Sequence, residues 1–231
     1  VIPNPIWHES PNHGERRGGT TPTLIVLHYT AMRSAEAALR RLCDPDYEVS
    51  SHYLIGRCGR TWQLVSEERR AWHAGHSHWA GAPDVNSRSI GIELDNDGRS
   101  PFTEPLMRSL EALMPGIMQR WNIKPESVIA HSDCAPVRKC DPGRRFDWKR
   151  LAHQGLSVWP GLDAAAGEAG PARFRADAIR FGYPDEEPSL VLDAFRQRFQ
   201  PWADGPLKTA DVAAMADLAA RYPVDRDANE A

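Results

Sequence analysis

Three residues far apart in the chain form a donor set for a divalent metal: His28, His131 and Asp141. His28 closes the apolar run TLIVLH (residues 23–28), and His131 closes SVIAH (127–131). Both runs are short, apolar and rich in β-branched residues, so they read as buried strands. In open α/β sheets, ligands collect outside the carboxyl ends of strands. Two imidazoles there, with an aspartate in the loop after the second, make a His/His/carboxylate set. A catalytic zinc takes three such protein ligands and keeps a fourth position open. The plainer alternative is one core histidine and one surface histidine with no common role.

Two further residues add chemistry. Glu93 lies in SIGIEL (89–94), where Gly91, Glu93 and Asp95 alternate with Ile90, Ile92 and Leu94. A carboxylate on a strand between apolar neighbours needs a partner. Either it pairs with an arginine such as Arg88 or faces water, or it serves as a general base. Lys139 stands two residues before Asp141. It is either a solvated loop lysine among Arg138, Arg144 and Arg145, or a cation beside a developing oxyanion.

The elements that position these residues alternate. After the strand ending at His28, a helix over 34–44 starts at a Ser34 cap, with Ala35, Ala38, Leu39 and Leu42 at helical spacing. SHYLIGRCGRTWQLV (51–65) reads as a hairpin about Gly56 to Arg60. Residues 67–87 read as a long polar and aromatic loop with three histidines, a length that is usually functional. A helix over 104–122 carries Leu106, Leu110, Leu113, Ile117 and Trp121 on one face, and Pro115-Gly116 predicts a kink or an early end. A last short helix starts at Asp147. Strands alternating with helices predict an α/β layer on one sheet. Residues 1–22, rich in Pro, Gly, Asn and Arg, read as an arm. Residues 161–171 are small, acidic and turn-rich, a linker with few contacts crossing it. Beyond it come three helical stretches, roughly 172–181, 189–199 and 209–221, and no strand.

Composition narrows the class. A net charge of -3 and a pI of 6.3 argue against a nucleic-acid partner. No apolar run approaches the ~20 residues of a membrane span. Four cysteines in 231 residues do not make a disulfide scaffold.

The runs HYTAM, SHYLIGRCGRTWQLV, ERRAWHAG, NSRSIGIEL and AHSDCAPVRKCDPG, in that order, resemble the zinc-dependent N-acetylmuramoyl-L-alanine amidases. That superfamily also includes phage amidases and peptidoglycan recognition proteins. The resemblance covers about residues 7–155. The tail, with LVLDAFRQRFQPW and ADGPLKTADVAAM, is similar to a three-helix peptidoglycan-binding module. The resemblance implies a central mixed β-sheet flanked by helices, and one Zn2+ per chain held by His28, His131 and Asp141. Glu93 then activates the attacking water and Lys139 stabilises the tetrahedral intermediate. It also implies hydrolysis of the amide between the lactyl group of N-acetylmuramic acid, or its anhydro form, and L-alanine of the stem peptide. Peptidoglycan or a muropeptide is the expected partner. Phage relatives use a cysteine as third ligand, so Cys140 competes with Asp141.

The expected organisation is an amidase domain at 1–160, a linker at 161–171 and a helical peptidoglycan-binding-like domain at 172–231. Tyr29, Trp72, His73 and Arg88 are candidate substrate contacts. Trp72 and Trp79 either stack on sugars or plug the fold. His76 and His78 read as groove or loop packing rather than a second metal site, and His52 as satisfying a buried hydrogen bond. Cys43, Cys58, Cys134 and Cys140 read as reduced thiols, or as disulfide pairs (Cys43 with Cys58, Cys134 with Cys140) in an exported protein. No signal peptide is visible at the start of the sequence, which favours the cytoplasm and turnover of anhydro-muropeptides. The helical module suits intact wall in the periplasm instead. The competing functions are a non-catalytic wall-binding protein and a zinc endopeptidase of the stem peptide.

Overall fold

The computed structural model describes residues 4–161 and 170–224, so most of the expected linker lies outside the described residues. Six strands form one sheet: β1 (Ile6–Trp7), β2 (Leu24–Tyr29), β3 (Tyr53–Ile55), β4 (Thr61–Gln63), β5 (Ser89–Leu94) and β6 (Val128–Ala130). Their order is β1-β4-β3-β5-β2-β6. Every neighbouring pair is parallel except the β3/β4 hairpin, so the sheet is mixed as expected. Gly59 makes the hairpin turn at φ +87°, and a Cβ there would stand 2.8 Å from the Pro105 carbonyl oxygen. The expected arm at 1–22 is partly sheet. β1 adds to β4 in parallel, and His13–Gly14 pairs antiparallel with Arg70–Ala71.

Among the described residues, eight α-helices surround the sheet: α1 (Ala35–Leu42), α2 (Val85–Arg88), α3 (Glu104–Trp121), α4 (His131–Cys134), α5 (Trp148–His153), α6 (Pro171–Phe181), α7 (Pro188–Phe199) and α8 (Thr209–Arg221). Ser34 caps α1 by accepting from the Ala37 N–H, and Asp147 caps α5 by accepting from the Arg150 N–H. The kink expected at Pro115 does not end α3, which runs on to Trp121. Pro115 is exposed, while Leu106, Leu110, Leu113, Met114 and Ile117 are buried on the opposite side. Burial of that stripe outweighs the local cost of proline.

Alternation along the strands divides the side chains between two faces. Ile25, Leu27, Ile90, Ile92 and Leu94 pack under α3. Leu24, Val26 and Ile129 face the other way and join one cluster with Phe181, Phe195 and Phe199 of the C-terminal helices. The expectation of few contacts between those helices and the sheet therefore fails. Apolar residues on α6 to α8 exceed what three short helices can bury among themselves, and the sheet takes the remainder. Among the described residues no helix is long and apolar enough to cross a membrane.

Candidate metal centre and cleft

β2 and β5 run side by side in register, Val26 opposite Gly91 and His28 opposite Glu93. The face that begins with Leu24 and Val26 therefore ends in His28, with Glu93 beside it. α4 begins at His131 directly after β6, the other neighbour of β2. The loop after α4 returns Asp141 to the same point, tied by a 3.0 Å bond from the Ser132 N–H to the Asp141 carbonyl. Among the described residues, one group of metal-ligating side chains results: His28, His131 and Asp141, all buried. Cys140 is outside it. Its thiol is exposed and lies 3.3 Å from the Tyr29 hydroxyl.

The hydrogen-bond network settles where the protons sit. Ser89 Oγ donates to the Val85 carbonyl at 2.6 Å, so it accepts from His73 Nε2 at 3.2 Å. His73 Nδ1 is then an acceptor, and His28 Nε2 donates to it at 3.0 Å. His131 Nε2 donates to the Ala74 carbonyl at 3.2 Å. Both imidazoles thus turn a bare Nδ1 toward the same point, 3.0 Å apart, and Asp141 Oδ2 stands 2.9 and 3.0 Å from them. Three lone-pair donors converging without a proton between them repel, unless a cation lies among them. Burial, assisted by His131, holds the His28 imidazole down to about 4, so it is neutral at pH 7 and its lone pair is available. This donor set fits a divalent metal, with outer partners orienting the ligands.

Glu93 shares the cleft. Its Oε2 is buried and has no hydrogen-bond partner among the described residues. Burial, then the Asp141 charge, pushes its carboxyl up to about 8. A carboxyl poised near neutrality can both take and give a proton. The cleft has a volume of about 440 Å³, within the range of small-ligand sites, and Tyr29, Trp72, His73 and Lys139 line it with the three ligand candidates and Glu93.

Among the sequence candidates, His73 lines the cleft and is also the hydrogen-bond partner of His28. Its ring lies over Gly91, where a Cβ would come within 2.5 Å of it. Arg88 is not brought to the cleft. Its guanidinium donates to the Trp79 and Ala82 carbonyls, at 2.9 and 3.1 Å. Trp79 is buried against Phe181 and Tyr183, a packing role. His52 accepts from the Gly91 N–H and donates to the Arg69 carbonyl, as expected. His76 and His78 sit with rings 5.6 Å apart and join no metal-ligating group among the described residues. All four cysteines are free.

Several supporting residues have roles that the sequence alone does not assign. Asn86 Oδ1 accepts from the His73 and Ala74 N–H groups, at 3.0 and 2.7 Å. Arg138 ties the Ala74 and His76 carbonyls to the Asp141 loop. Ser89 fixes the His73 tautomer. Their partners are distant in sequence, so no local pattern gives their roles, although Asn86 and Ser89 fall in the run NSRSIGIEL and Arg138 in AHSDCAPVRKCDPG.

Comparisons with known proteins point to one family. A family described as N-acetylmuramoyl-L-alanine amidase matches residues 18–144. The N-acetylmuramoyl-L-alanine amidase AmiD of Escherichia coli is 37% identical over 234 residues, covering 87% of this chain and 84% of that protein. The 1,6-anhydro-N-acetylmuramyl-L-alanine amidase AmpD of Enterobacter cloacae is 35% identical over 159 residues, covering 62% of this chain and 85% of that protein. Among solved structures, E. coli AmiD with anhydro-N-acetylmuramic acid-L-Ala-D-gamma-Glu-L-Lys superposes with a TM-score of 0.81 at 36% identity, over 94% of each chain. AmpDh3 of Pseudomonas aeruginosa with anhydromuramic pentapeptide gives a TM-score of 0.80 at 30% identity, over 94% of this chain and 96% of that one.

Proposed function

The chain belongs to the N-acetylmuramoyl-L-alanine amidase family, and from that membership we propose that its cleft hydrolyses the lactyl–L-alanine amide of muropeptides with a single zinc ion. The observation that carries the reading is the convergence of His28 Nδ1, His131 Nδ1 and Asp141 Oδ2 at 2.9–3.0 Å, with Glu93 in the same cleft. Those three residues would hold the zinc. When bound, zinc supplies Lewis-acid polarisation of the carbonyl and acidifies water near neutral pH.

The chain's own residues do the rest. Glu93 takes a proton from the attacking water as its oxygen bonds to the lactyl carbonyl carbon. The same carboxyl then delivers that proton to the alanine nitrogen as the C–N bond breaks, which turns a poor leaving group into a neutral amine. Lys139 places its cation in the cleft, where charge builds on the carbonyl oxygen. Tyr29 and Trp72 form cleft walls for the muropeptide. Anhydro-muramyl peptides are the favoured substrates, because the AmiD and AmpDh3 complexes above contain them. In this reading residues 1–160 carry the chemistry, and the region 172–231, with helices α6 to α8, is suited to wall contact.

The test is to incubate the protein with anhydro-N-acetylmuramyl-L-Ala-D-γ-Glu-L-Lys and identify the products by mass spectrometry. Release of intact tripeptide, abolished by a chelator and restored by zinc, is expected. Cleavage inside the peptide would establish an endopeptidase. No cleavage by zinc-loaded protein would establish a binding protein. Full activity in metal-free protein would remove zinc from the account.

A further inference from the structure

Behind the metal-ligand turn lies a buried ionic network that the catalytic reading does not use. Asp133, two residues after His131, is fully buried. Its Oδ2 accepts from the Ala130 N–H at 2.9 Å, which closes the turn α4 at the point where His131 leaves β6. The same oxygen accepts from Arg198 Nη1 at 2.7 Å, and Oδ1 accepts from the Tyr183 hydroxyl at 2.8 Å. Arg198 is also fully buried. Its Nη2 donates to the Val128 carbonyl of β6 at 2.7 Å. The guanidinium lies over the Trp148 and Phe199 rings, 4.7 and 4.6 Å from their centroids. Both side-chain partners of Asp133 thus come from the C-terminal helical unit, 50 and 65 residues further along.

We infer that Arg198 and Tyr183 are positioning residues for the metal site, acting through Asp133 on the turn that carries His131. The inference rests on the proposed zinc site. Asp133 holds α4, α4 presents His131, and the Ser132 N–H in the same turn holds the Asp141 carbonyl. Two of the three ligands therefore depend on one buried carboxylate. A buried charge that loses its partner is strongly disfavoured and rearranges. Nonpolar packing alone would attach the helices to the sheet; a fully buried Arg–Asp pair also fixes their register against α4. The C-terminal unit is then part of the metal site's frame, whatever it contacts outside.

The test is zinc affinity of the full-length protein, measured by competition with a chromophoric chelator alongside circular dichroism. Loss of an outer partner typically weakens metal binding about 10–100-fold. Arg198→Ala is expected to fall in that range while remaining folded at low temperature. Tyr183→Phe removes one hydroxyl and should give a smaller loss in the same direction. Arg198→Lys should recover part of the affinity, because an ammonium can still pair with Asp133 but lacks the fork that also reaches Val128. Leu218→Ala, a buried α8 residue outside the network, should lower the melting temperature and leave zinc affinity unchanged. If Arg198→Ala does not fold, Tyr183→Phe and Arg198→Lys decide. Wild-type zinc affinity in Tyr183→Phe and in each folded Arg198 variant would overturn the inference, as would an equal loss in Leu218→Ala. A wild-type protein that binds no zinc would overturn the zinc reading as well.

Discussion

The two faces of the central sheet are stabilised by different means. Under α3 the contact is hydrophobic: Ile25, Leu27, Ile90 and Ile92 meet Leu106, Leu110, Leu113 and Ile117. The ionic tie of Arg120 on that side, to Glu67, reaches toward solvent, since the Arg120 side chain is 54% exposed. The opposite face starts out apolar at Leu24 and Val26, then ends in His28, Gly91 and Glu93. There the C-terminal helices bring Arg198 to Asp133, both fully buried. An apolar face tolerates small adjustments, because hydrophobic contact has no direction. Lone-pair donors and buried ions tolerate almost none. Both faces bury apolar side chains, and the opposite face also fixes the geometry of the donor set.

Substitutions can separate the two. On the α3 side, Leu110→Ala should cost about 2–5 kcal/mol of stability through cavity formation. Zinc affinity of the folded fraction should stay within experimental error of wild type. Denaturant titration with and without excess zinc checks both. A large fall in metal affinity would show that the two faces are not independent.

On the site side, Gly91→Ala adds only one carbon, but that carbon meets the His73 ring at 2.5 Å. Displacing His73 frees His28 Nε2 from its acceptor, and about 10–100-fold of metal affinity should be lost. Chelator competition reads this directly. Wild-type affinity would mean that His73 does not orient His28.

The smallest effect is expected at the rim of the α3 face. Arg120→Gln should cost about 1 kcal/mol, because the arginine is half exposed and Tyr53 and Trp121 still hold the buried Glu67 carboxylate. Burial alone would raise the Glu67 carboxyl, but hydrogen bonds from Arg120, Tyr53 and Trp121 outweigh it and hold it below the usual range. Its contribution is thus present above the usual glutamate range and is lost as pH falls through the lowered value. The difference between wild type and Arg120→Gln should shrink toward zero in acid. Urea titrations at neutral pH and in acid below the usual glutamate range would show this, and a difference that grows in acid would contradict the assignment.

What is legible in the sequence follows from which interactions are local. The runs TLIVLH, SIGIEL and SVIAH carry their own periodicity, so local pattern alone places three site residues at strand ends or on a strand face. The helices of the tail carry theirs as well, within a residue or two of α6, α7 and α8. The long helix α3 runs past Pro115: its apolar stripe is legible in the sequence, whereas how completely the sheet buries that stripe is not. Arg198 looks like one more surface arginine in FRQRF. Its partner Asp133 is 65 residues away, and no spacing rule joins them. His73 stands out by residue type, but its partner His28 is 45 residues away and the register of β2 with β5 decides their meeting. Arg88 is near Glu93 in sequence, which suggests the cleft, whereas its guanidinium goes to the Trp79 and Ala82 carbonyls.

The central claim gives two carboxylates different work: Asp141 holds the metal, and Glu93 moves the proton. Zinc content and turnover of a soluble anhydro-muropeptide, measured together on three variants, test it most directly. Asp141→Ala should lose zinc and turnover together. Glu93→Ala should keep near-stoichiometric zinc and lose about 10²–10⁴-fold in turnover. Cys140→Ala should keep both. Zinc retained by Asp141→Ala and lost by Cys140→Ala would move the third ligand to the thiol, and full turnover in Glu93→Ala would remove the proposed base.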